Sequence, residues 1–174
     1  MSYCLHIPLN EPLCVSDLTE AVERELATLL NWPEPLRITA TRTTTPQGKS
    51  VPPAPVSDAA SATPTDIFAE VDLHLEGAGS AHVVCLLPGE TGDLAASISR
   101  RGSSKVLIAA CAIALSRLSG RPIGGDTYIL DTRCNADWNA ASVLEILRCR
   151  HAHATLEGAA EEVSTTIKRR QAGY

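Results

Sequence analysis

The sequence predicts an α+β fold with a mostly antiparallel sheet, and three observations carry that prediction. Residues 67–76 alternate without a break: Ile67, Ala69, Val71, Leu73 and Leu75 fall on one side. Phe68, Glu70, Asp72, His74 and Glu76 fall on the other, the two-residue period of a half-buried strand. Gly77, Ala78, Gly79 and Ser80 then form a turn into a second β-rich run at 81–87, the pattern of a hairpin. Finally, ten consecutive apolar residues at 106–115 follow Ser103, Ser104 and Lys105 and end at Leu118-Ser119-Gly120. Serines before and a glycine after are the start and stop marks of an α-helix, here Ala-rich and buried at about 104–118.

The remaining elements follow in order. Residues 3–7 alternate as a short strand stopped by Pro8 and Pro12. Ser16 is expected to cap a helix whose apolar face is Leu18, Val22, Leu26, Leu29 and Leu30, closed by Asn31, Pro33 and Pro35. Residues 36–45 are rich in β-branched side chains and predict a strand. Residues 46–65 hold five prolines and almost no large apolar side chain, and predict a long Pro/Ser/Ala-rich loop within a single domain spanning 1–174. The run at 82–87 barely alternates, as in a strand covered on both faces. Residues 93–99 predict a short helical piece, 127–130 a further strand, and Asp137 the cap of a helix carrying Val143, Leu144, Ile146 and Leu147 inward. Leu156, Ala159, Ala160, Val163 and Ile167 mark a final amphipathic helix. The main order is β-α-β-β-β-α-β-α-α, an antiparallel sheet with helices between its strands.

Composition narrows the function classes. The chain has 174 residues and a formal net charge of −5. General nucleic-acid binding needs a basic face, so no nucleic-acid partner is expected. Residues 1–9 lack a cationic start followed by a long apolar run, and 106–115 is about half of a bilayer span, so a cytoplasmic chain without membrane association is expected. With aromatics at 3%, the core must come from Ala, Val, Leu and Ile. The six cysteines are scattered and lack a Cys-x-x-Cys pair, which predicts free thiols.

Four sets of residues are candidates for chemistry. Arg100, Arg101, Ser103 and Lys105 precede a helix, where free N–H groups and the dipole attract anions. The spacing is not that of a phosphate-binding loop, and the favoured reading is a capped core helix with solvated charges. Cys149, His151 and His153, with Cys4 and His6, are ligand-capable, but residues two apart diverge at a helix end, and no metal or cofactor is expected. Cys134, His151 and Asp131 supply the types needed for nucleophilic catalysis without any of its signatures, and Gly124-Gly125-Asp126 is expected to be a turn. No catalytic residues are assigned. The last set is the polar row Phe68, Glu70, Asp72, His74 and Glu76, which is either a solvated sheet face or a docking surface for a basic partner with Phe68 as anchor.

The stretch SSKVLIAACAIALSRLSGRPIGGDTYILD at 103–131, an Ala-rich buried helix closed by Leu-Ser-Gly and followed by a strand, continues the β-α-β-β-β order before it. At the level of architecture it resembles the small cytosolic α+β immunity proteins that bacteria pair with secreted toxins. That resemblance implies an acidic, non-catalytic protein that neutralises one toxin domain by covering its active site. The row at 70–76 would then make the contact. Type III secretion chaperones are also small and acidic, but their order usually begins with a helix. A small enzyme or ligand-binding domain, taking an anionic molecule near Ser103, is the alternative from a different class.

Overall fold

The computed structural model of the chain describes residues 4–44, 50–55, 70–86, 94–99, 104–121, 123–125 and 155–171. These form β1 (Cys4–Pro8), α1 (Val15–Leu30), β2 (Thr39–Thr44), β3 (Ser50–Pro55) and β4 (Glu70–Leu75). They continue with β5 (Gly79–Leu86), β6 (Ala95–Ser99), α2 (Lys105–Ser119), β7 (Gly124–Gly125) and α3 (Leu156–Gln171). The α+β class and the antiparallel sheet are as the sequence predicts. Strand order is β3-β2-β4-β5-β6-β1-β7, and every described pairing is antiparallel.

Four local expectations are corrected. The helix expected at 93–99 is not formed by its described residues, because Ala95–Ser99 is strand β6, paired with β5 on one side and β1 on the other. Alanine favours helix, but Ala96 and Ile98 are 0% and 1% exposed, and burial of that alternate pair between two strands outweighs propensity. The proline-rich loop contains a strand, Ser50–Pro55, which hydrogen-bonds to β2 at the sheet's margin. An edge strand tolerates Pro52, Pro53 and Pro55 because its outer N–H groups have no ladder to join. Ser16 does not cap α1. The helix starts two residues earlier, with extended Cys14 at the cap position and no side-chain cap, because Val15 is drawn into the core with Leu18 and Val22. Gly124 and Gly125, expected in a turn, pair with β1 as a two-residue strand. The elements expected at 127–130 and from Asp137 lie outside the described residues.

The sheet has a clear inside. Val71, Leu73 and Leu75 of β4, Ala81 and Val83 of β5, Ile98 of β6, and Leu5 and Ile7 of β1 are all buried. Register aligns them, with Val71 opposite Val83, Val83 opposite Ile98, and Ile98 opposite Leu5. Helix α2 lies on this face beneath β1, β5 and β6, and α1 and α3 pack on α2. Residues Val106 to Ser116 of α2 are consequently buried all round. Its alanines at 109, 110, 112 and 114 let neighbouring elements approach closely without leaving voids. Among the described residues no helix is long and apolar enough to cross a membrane.

Two polar contacts fix the helices. Glu25 is on the buried face of α1 and accepts a hydrogen bond from Nε of Arg117 in α2 at 2.8 Å. Glu23 accepts from the backbone N–H of Ile38 at 2.7 Å, which ties the approach to β2 onto α1. Asn31 closes α1 in the left-handed region at φ 50, where asparagine is tolerated, with Trp32 N–H donating to the Ala27 carbonyl at 3.1 Å. Gly77 turns β4 into β5 at φ +79, and a Cβ there would press on Glu157 of α3 at 3.3 Å.

Candidate functional site

The alternation of β4 that buries Val71, Leu73 and Leu75 sends Glu70, Asp72 and His74 to the opposite, outer face of the sheet. Glu76 stands just beyond the strand, exposed, in the turn before Gly77. The expected row is therefore present for its strand members. Phe68, the expected anchor, lies outside the described residues.

Sequence reasoning missed what stands beside this row. The hairpin places His82 of β5 directly opposite Asp72, and Nδ1 donates to a carboxylate oxygen of Asp72 at 2.7 Å. An ionised carboxylate only accepts, so in this contact Nδ1 is the donating nitrogen and Nε2 is the other ring nitrogen. The signal was available. A hairpin closed by the turn at Gly77 and Gly79 sets the register that brings residues 72 and 82 together. Thr41 of β2 faces Asp72 from the other side.

Surface opening varies across this face. The side chains of Asp72 and His82 are 49% and 24% exposed, and His74 and Thr39 are exposed. Toward β6 the surface closes, since Ser97 and Ser99 are only 6% and 8% exposed. Ser99 is opposite His82, so the register reads Asp72, His82, Ser99 across three strands. That is the order of an acid–base–nucleophile relay with its exposure inverted. A relay shelters the acid and presents the hydroxyl to substrate, whereas here the acid is open and the hydroxyl is buried. The arrangement presents charge rather than a reactive oxygen.

The helix start at 104 is structural. Ser104 is the cap, with its Oγ accepting from Leu107 N–H at 3.3 Å and its own N–H donating to the Ser80 carbonyl at 3.1 Å. Lys105 is half-buried and already engaged, while Arg100, Arg101 and Ser103 lie outside the described residues. Replacing Ser104 by Ala should cost about 1 kcal/mol of unfolding free energy, measured by urea denaturation. Inorganic phosphate should not raise the melting temperature, and a clear rise would restore the anion-site reading.

Among the described residues no group of three His, Cys, Asp or Glu side chains could hold a metal ion. His6 is exposed on β1, and Cys149, His151 and His153, like Cys134 and Asp131, lie outside the described residues. Burial pushes the Cys111 thiol far up, so it serves as a small apolar side chain in the core. No protein-family model, curated protein or solved structure matches the chain.

Proposed function

We propose that the chain is a non-enzymatic protein-binding module of the immunity type, which neutralises a cognate bacterial toxin by covering its active site. The observation that supports this most directly is the outer side of β4, where half-exposed Asp72 and the neighbouring exposed Glu76 carry negative charge on a helix-backed sheet, with Glu70 on the same face. A toxin domain that acts on an anionic substrate carries a basic cleft. Carboxylates held on a strand meet such a cleft without ordering a loop first, so little conformational entropy is lost on binding. Long-range attraction between the two surfaces would also speed encounter, and that part of the rate should fall as salt rises.

The test is a binding measurement by calorimetry against a candidate toxin domain with a basic active-site cleft. The pair Glu70→Lys and Asp72→Lys should weaken association on the order of 100-fold. The same substitutions sit on a half-open surface, so the free protein should keep its unfolding free energy to within about 1 kcal/mol. Unchanged affinity in the doubly reversed variant would retire this face as the binding surface.

A further inference from the structure

We draw no further inference here: the strongest candidate, the half-exposed Cys14 thiol at the start of α1, 3.1 Å from the Ser16 hydroxyl, is a lone cysteine at a helix start, and nothing else among the described residues points to a ligand or reactant for it.

Discussion

Ile113→Ala is expected to lower the unfolding free energy by about 3–4 kcal/mol, the upper half of the range for truncating a buried aliphatic side chain. Ile113 is 0% exposed in the middle of α2, which the sheet covers on one side and α1 and α3 on others. A cavity costs most where neighbours cannot move in, and the residues one turn back, Ala109 and Ala110, have only a methyl group that cannot extend into it. Leu118, 45% exposed near the end of the same helix, is the internal control, and Leu118→Ala should change stability by no more than about 0.5 kcal/mol. Urea denaturation followed by circular dichroism measures both. A loss below about 1 kcal/mol at Ile113 would mean that α2 is not the packed centre of the molecule.

Arg117→Met is the second large effect, and its signature is a dependence on pH. The Glu25 side chain is 6% exposed and that of Arg117 48%, so one partner is buried while the other reaches solvent. Burial raises the Glu25 carboxyl above its ordinary value of 4.5, against the opposing pull of Arg117 and then Arg24. A carboxyl with a raised folded value contributes stability that is complete below pH 4.5 and is lost as pH rises through the folded value. Methionine keeps the aliphatic packing of Arg117 but removes the charge, so the folded value climbs further. The variant should be about 2 kcal/mol less stable near pH 8, a figure reduced from that of fully buried pairs because Arg117 is half in water. The deficit should shrink to within about 0.5 kcal/mol as pH falls through the raised folded value of Glu25 toward 4.5. Adding Glu25→Gln should recover most of the loss at high pH. A deficit that is the same at both ends of the range would assign Arg117 to packing alone.

The sequence exposes the fold where local pattern and tertiary demand agree. In β4, Val71, Leu73 and Leu75 alternate with polar residues and are buried as the alternation requires, and in α2 the apolar run and Ser104 mark the helix and its start. The pattern misleads where one residue type serves two structures. Ala95 and Ala96 suit a helix, yet the gap between β5 and β1 takes them as strand, and the prolines of Ser50–Pro55 hide an edge strand behind a loop composition. The carboxylate row of the candidate site follows from period alone. Its pairing with His82 does not, because a cross-strand neighbour is fixed only when register is known. Glu25 left a readable trace: it lies on the same helical face as Leu18, Val22 and Leu29, and a charge on that stripe calls for a partner on the element packed against it. Nothing local says that the partner is Arg117.

The position of β1 has a consequence for how the chain reaches this structure during synthesis. Although it comes first in the sequence, β1 sits between β6 and β7, with Cys4 opposite Ser99 and Leu5 opposite Gly125. The hairpin of β4 and β5 can close as soon as it leaves the ribosome, but the opening strand must wait for partners made far later. Closing so large a loop is entropically slow, which places folding in the milliseconds-to-seconds regime of non-local β topologies. Until then Leu5 and Ile7 have no inner face to cover them, and α1 has no α2 to lie against. Between synthesis of β1 and synthesis of β6 the nascent chain thus carries exposed apolar surface, the condition under which chaperone capture competes with aggregation.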